Sequence, residues 1–186
     1  MAIYVALLRG INVGGHNKIK MAELKLLFEN IGLSRVQTYI QSGNVLFESE
    51  EEEEEALRRR IEHEIEKVLS ISVAVVLRTS LELERIIENC PFSEDALSEA
   101  ALLSEGESFY VSLLLTSPSQ AQIERLDAFR NESDEYRVVG REIYLLLRHG
   151  VRNSKLANNL HKLDVPSTMR NWKTINTLAS LAAHRP

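Results

Sequence analysis

The sequence predicts an α+β chain made of two βαββαβ-type subdomains with helices at the C-terminal end. Three observations carry that reading. Apolar runs of strand length alternate with apolar stripes at helical spacing. Gly, Ser, Asn and Pro clusters punctuate the runs. Tyr4-Val5-Ala6-Leu7-Leu8 is echoed by Tyr110-Val111-Ser112-Leu113-Leu114, and a helix and a hairpin pattern follow each. That echo fits a structural duplication, although five residues of likeness among apolar strands also arise by chance.

Taken in order, Ile3–Leu8 is apolar throughout and predicts a central strand. Met21, Leu24, Leu27, Phe28 and Ile31 recur at helical spacing, with Gly32 as a left-handed stop. Val36, Thr38 and Ile40 alternate with polar neighbours. Ser42-Gly43 then turns the chain and Val45–Phe47 returns it. Leu57, Ile61, Ile65 and Val68 form the stripe of a second helix. Most of the acid run Glu50–Glu55 falls in its first turn, where negative charge suits the helix dipole. Ile71–Leu77 is rich in β-branched residues and predicts a fourth strand. The order βαββαβ is that of a ferredoxin-like split βαβ unit.

Ser80 is read as the cap of a short helix bearing Leu83, Ile86 and Ile87, which Pro91 stops. Residues 91–107 show little periodicity and read as a linker between a first subdomain, 1–90, and a second, 108–186. In the second, Phe109–Leu115 is a strand and Ser117-Pro118-Ser119-Gln120 a helix start, with Ser117 as cap. Ile123, Leu126 and Phe129 continue that helix. Tyr136–Val139 and Glu142–Arg148 form a hairpin around Gly140-Arg141. One closing helix carries Leu156, Leu160 and Leu163, the other Ile175, Leu178 and Leu181.

The 186 residues are 44% hydrophobic, enough for a substantial core. Cys90 is the single cysteine, so no intrachain disulfide forms, and a cytoplasmic location is expected. No apolar run reaches membrane-spanning length, and the apolar run before Arg9 is too short for a secretion signal. The net charge of −5 is segregated. Residues 1–47 carry a net +3, residues 48–136 a net −15, and residues 137–186 a net +7. Such asymmetry marks a face for an anionic partner, or simply a solvated acidic exterior. Pairing of acidic middle and basic end in trans would give a homodimer.

The loop Arg9-Gly10-Ile11-Asn12-Val13-Gly14-Gly15-His16-Asn17-Lys18 joins the first strand to the first helix. Glycines there can aim backbone N–H groups at a ligand, and the helix N-terminus adds partial positive charge. Gly10 and Gly15 have P-loop spacing, but His16 and Asn17 stand where lysine and serine or threonine belong, so a nucleotide-triphosphatase loop is not supported. Arg9, loop N–H groups, Lys18 and the displaced Lys20 could still hold a different anion. The plainer alternative is a long connection that uses glycines for its turns. Gln41 and Asn44, beside the Ser42-Gly43 turn, could read a ligand through amide hydrogen bonds, though Ser42 suits a turn.

Two polar, basic stretches further on lead into helices: Gly150-Val151-Arg152-Asn153-Ser154-Lys155 and Ser167-Thr168-Met169-Arg170-Asn171-Trp172-Lys173-Thr174. Cations repel the positive end of a helix dipole, so Arg152, Lys155, Arg170 and Lys173 are costly there unless an anion lies nearby. Tyr4 and the lone Trp172 read as core aromatics rather than base-stacking platforms. The histidines show no metal-ligand spacing, Ser42 and Ser154 lack a nucleophile-elbow context, and Cys90 reads as a structural thiol. No cofactor or metal is expected.

The segments Tyr4–Gly15, Tyr39–Val45 and Thr168–Thr174 together resemble a bacterial family called domain of unknown function 1697, and the resemblance runs over nearly the whole chain. It implies a cytosolic α+β protein with ferredoxin-like subdomains and no established reaction. The expectation is therefore an anion-binding protein, with a phosphorylated small molecule or a nucleic-acid backbone as ligand. Arg9, Lys18, Arg152, Lys155, Arg170 and Lys173 would supply charge, and Asn12, Gln41, Asn44 and Asn171 hydrogen bonds. The rivals are an enzyme acting on a phosphorylated or carboxylated metabolite at a domain cleft, and the dimer module.

Overall fold

Strand β1 (Ala2–Leu8), helix α1 (Met21–Asn30), strands β2 (Ser34–Tyr39) and β3 (Asn44–Ser49), helix α2 (Glu54–Leu69) and strand β4 (Val75–Thr79) open the computed structural model, which describes residues 1–51 and 53–185. Glu52, inside the acid run, lies outside the described residues. The four strands form an antiparallel sheet of order β2-β3-β1-β4, the ferredoxin-like arrangement. Strand alternation puts Tyr4, Ala6 and Leu8 of β1 on one face, where they share a core with Leu24, Leu27 and Phe28 of α1 and Leu57, Ile61 and Ile65 of α2. Phe47 sits between the rings of Tyr4 (5.8 Å, stacked) and Phe28 (5.5 Å, edge-on). Tyr4 is thus a core aromatic. Val68 is 56% exposed, so the α2 stripe stops at Ile65. Glu53 caps α2 by accepting from the N–H groups of Glu55 and Ala56. Gly32, at φ +85°, ends α1 as expected.

Helices α3 (Ser80–Glu88) and α4 (Glu94–Leu103) follow. The cap of α3 is Thr79, whose Oγ1 accepts from Glu82 N at 3.2 Å, one residue before the expected Ser80. The segment 91–107, read as a linker, carries α4, capped by Ser93.

The second half repeats the pattern with strand β5 (Phe109–Leu114), helix α5 (Gln120–Glu124), strands β6 (Asp134–Val139) and β7 (Glu142–Leu147), helix α6 (Lys155–Asn158), strand β8 (Ser167–Asn171) and helix α7 (Trp172–Ala183). The capping box of α5 uses Ser119 and Gln122, two residues past the expected Ser117. The stretch bearing Leu160 and Leu163 is a 3₁₀ turn after α6 rather than one long helix. Ser167–Asn171, read as a helix start, is instead the fourth strand. The sheet order is β6-β7-β5-β8, the same as in the first half. The register is also the same: Val5 pairs with Arg78 in one sheet and Val111 with Arg170 in the other. Both arginines are buried on an outer strand, and in both cases a capped helix follows directly.

The chain divides into two compact units, Met1–Glu84 with Thr177–Pro186, and Arg85–Asn176. Leu114, Leu126, Leu145, Leu147, Leu156 and Leu163 lie in the core of the second. The ring of Phe109 packs against Trp172 (4.7 Å), Tyr144 (6.3 Å) and Phe92 (5.7 Å). The Tyr144 hydroxyl donates to Ile86 O at 2.6 Å, and burial pushes the phenol well above its ordinary range. Tyr110 is raised too, by burial and then by Glu107.

A phenol raised in the folded state loses its proton first in the unfolded chain. Its stabilisation is therefore present below about pH 10 and declines as pH climbs beyond it. Denaturant unfolding should register a progressive loss of stability as the pH rises above about 10, with Tyr144 contributing to it. In Tyr144→Phe the decline should be visibly shallower; an unchanged slope would remove Tyr144 as its source.

Candidate functional site

The loop between β1 and α1 is tied down residue by residue. Leu8 N donates to Gly43 O (2.9 Å) and Arg9 N to Ala74 O (3.0 Å), which fixes its start. Ile11 and Ile19 are buried and anchor its two ends in the core. Between them Val13 and His16 form a small bridge, with Gly14 and Gly15 at φ +60° and +79°. Positive φ at two successive positions is what a type I′ turn demands, so these glycines serve a tight reversal. That is the plainer of the two readings of the loop.

Asn12 clamps the structure. Its Nδ2 donates to Ile19 O (3.0 Å) and Gln41 O (2.8 Å), and its Oδ1 accepts from Ile19 N (2.8 Å). Both donor hydrogens of the Asn12 amide are thereby used within the protein. Asn17 donates to Gly10 O at 3.3 Å. Asn44 is buried, and its amide donates to Tyr39 O (3.0 Å) and Ser42 Oγ (2.8 Å), holding the β2–β3 turn.

These ties leave a depression of about 450 Å³, lined by Asn12, Gly15, Lys18, Ile19, Lys20, Met21, Glu23 and Gln41. Three of the expected residues, Asn12, Lys18 and Gln41, meet here. Arg9 is exposed at the end of β1 and does not line it. The first turn of α1 forms one wall. Its N-cap is Lys20, in extended conformation, and the Lys20 side chain makes no capping hydrogen bond. Helices α2, α4, α5 and α6 all have such a bond. Two ammonium groups and an uncapped helix N-terminus thus face one space, with Glu23 as a carboxylate on the same wall. Sequence reading misses Glu23, because its place on the helix face matters only once the loop has folded back.

In the second unit the expected residues do different jobs. Arg152 is exposed on a loop and lines a depression of about 300 Å³ with Glu105, Glu107, Tyr110, His149 and Asn153. Two carboxylates there outweigh one guanidinium. Lys155 is exposed in the single turn of α6, whose cap is Ser154. The Ser154 hydroxyl accepts from Ala157 N (3.0 Å) and donates to the buried Asp134 (2.8 Å). Arg170 lies inside β8, 8% exposed. Its Nη1 donates to Thr168 Oγ1 (2.7 Å) and Met169 O (2.9 Å), and burial lowers its pKa to about 10. Asn171 caps α7 by accepting from Thr174 N at 2.8 Å. Lys173 is exposed in the first turn of that helix. Arg170 and Asn171 are therefore framework residues, and Trp172 belongs to the aromatic cluster.

Among the described residues no group of three His, Cys, Asp or Glu side chains is arranged to hold a metal ion, and no helix is long and apolar enough to cross a membrane.

No curated protein matches the chain. Its structure is similar to that of the conserved bacterial protein SP0830 from Streptococcus pneumoniae, with a TM-score of 0.71 and 27% identity over 97% of this chain and 98% of the other. The model of a family described as protein of unknown function, DUF1697, matches residues 1–144. Both strongly patterned N-terminal segments, Tyr4–Gly15 and Tyr39–Val45, fall inside that match, and Thr168–Thr174 falls outside it. The chain belongs to the DUF1697 family of proteins of unknown function.

Proposed function

We propose that this protein binds a phosphate-bearing ligand in the depression between the Gly-rich loop and the start of α1. The observation that carries the reading is the uncapped first turn of α1 set between Lys18 and Lys20. Unbonded N–H groups at a helix N-terminus present hydrogen-bond donors in the direction of the favourable dipole end. Two lysines add point charges within the same space. The Gln41 side chain supplies a further polar contact, and Glu23 opposes a second negative group on its side. The loop itself is held by Asn12 and its ends by Ile11 and Ile19, so the donors are preorganised. The confined volume favours a phosphorylated small molecule over an extended polymer.

Titration calorimetry with inorganic phosphate and with a single-stranded oligonucleotide tests this. Phosphate should bind, and Lys18→Ala/Lys20→Ala should weaken it about tenfold, the equivalent of losing one charge-assisted contact. Affinity for the oligonucleotide should be lower. Should it instead exceed that for phosphate and fall steeply with salt, the ligand is a nucleic-acid backbone. No heat with either probe removes the proposal.

A further inference from the structure

A second depression, of about 480 Å³, lies elsewhere in the first unit and is lined by Arg35, Val36, Gln37, Ser180, Leu181, His184 and Arg185. The guanidinium of Arg185 is incompletely bonded. Its Nη2 makes long contacts to Gln37 Oε1 (3.4 Å) and Leu46 O (3.5 Å), while Nε and Nη1 are buried with no hydrogen-bond partner. A buried donor without an acceptor is costly, and more so when it is charged. Burial accordingly lowers the pKa of Arg185, the nearby Glu48 raises it and Arg35 lowers it.

Arg35 stands on the same space for a backbone reason. It has φ +51°, and the β2–β3 register shifts between Ser34 and Gln37, which marks a bulge on this outer strand. A bulge re-aims the side chains it carries. Arg35 pairs with Glu48 at 3.1 Å. His184 fixes its ring by a 2.8 Å bond from Nδ1 to the carbonyl of Ser180, which leaves Nε2 as the second ring nitrogen. Arg35 and Arg185 both stand on this space, and Val36 and Leu181 line it beside them.

We propose that this depression is a site for a small organic carboxylate, with Arg185 and Arg35 on the carboxyl group and Val36 and Leu181 along the hydrocarbon part. A guanidinium fork matches a carboxylate in geometry. None of these residues lines the α1 depression, so the two proposals stand or fall separately.

The test follows the Arg185 side-chain Nε–H resonance of the full chain by NMR at constant ionic strength. The probes are butyrate, acetate and inorganic phosphate. Butyrate should shift the resonance saturably, at concentrations at least threefold below those acetate requires. Arg185→Lys keeps the charge but loses the fork. It should weaken butyrate binding at least fivefold, read from the amide resonances of Gln37 and Leu181, with the melting temperature unchanged. Lys18→Ala/Lys20→Ala should leave butyrate binding as it was. The assignment is overturned by the absence of a saturable shift, by tighter binding of phosphate than of butyrate, or by loss of the response in the lysine variant.

Discussion

Gly43→Ala should destabilise the first unit by about 2–5 kcal/mol. Gly43 sits at φ +83°, where an L-residue costs roughly 1–2 kcal/mol. A Cβ at this position would lie 2.7 Å from Ile11 Cδ1, 2.9 Å from Ile11 Cγ1 and 3.0 Å from Leu8 Cβ. Ile11 and Leu8, the last residue of β1, are both buried, so neither can step aside without disturbing the core, and such overpacking adds about 1–3 kcal/mol. Gly32→Ala supplies the control. Its φ is also positive, at +85°, yet nothing lies within 4 Å of the added methyl, so only the backbone part should appear. Thermal or denaturant melting of the three proteins separates the two contributions. Equal losses in both variants would show that the contact with Ile11 is relieved at no cost.

Asn12→Ala should cost about 2–4 kcal/mol and loosen the Gly-rich loop. Three hydrogen bonds of roughly 1 kcal/mol each disappear, and the left-handed φ of +55° at this position suits asparagine better than alanine. The loss is local before it is global. Hydrogen exchange at the Ile19 amide, which gives up its acceptor, should accelerate by more than the global stability change accounts for. Phosphate affinity should fall alongside, because Lys18 and Lys20 lose their fixed positions. Asn12→Asp keeps the acceptor and the tolerance for positive φ, and should lie between the two. If exchange at Ile19 is unaltered in the alanine variant, Asn12 is not what holds the loop.

Most of the first unit was legible because its inward positions are apolar. β1, α1, β3 and the Leu57–Ile65 stripe of α2 announce themselves by period alone. β8 hides for the converse reason. Its two buried residues, Thr168 and Arg170, are polar and lie on the face away from the core cluster that Met169 packs against, so no apolar alternation marks the strand. The shift of the α5 cap from Ser117 to Ser119 reflects two overlapping cap signals of similar strength, which only the surrounding fold ranks.

The candidate sites divide along the same line. Residue type and places beside a loop, a turn and a helix singled out Lys18, Gln41 and the α1 start, which line one depression. The clamp role of Asn12 was not legible, since its partners lie 7 and 29 positions away. The places of Arg170 inside a strand and Asn171 at a helix cap were not legible, because strand burial and helix capping draw on the same polar side chains that recognition does. The Arg185 depression is beyond sequence reading altogether, for Arg185 and Gln37 are 148 residues apart.

The division of α7 has an implication for biosynthesis. Its residues up to Asn176 group with the second unit, while Thr177 onward group with the first. A ribosome emits Met1–Glu84 well before Thr177 and the residues after it, so the first unit stays incomplete until those residues are made too. A fragment cut after Glu84 would lack the part of its unit that Thr177 onward supplies.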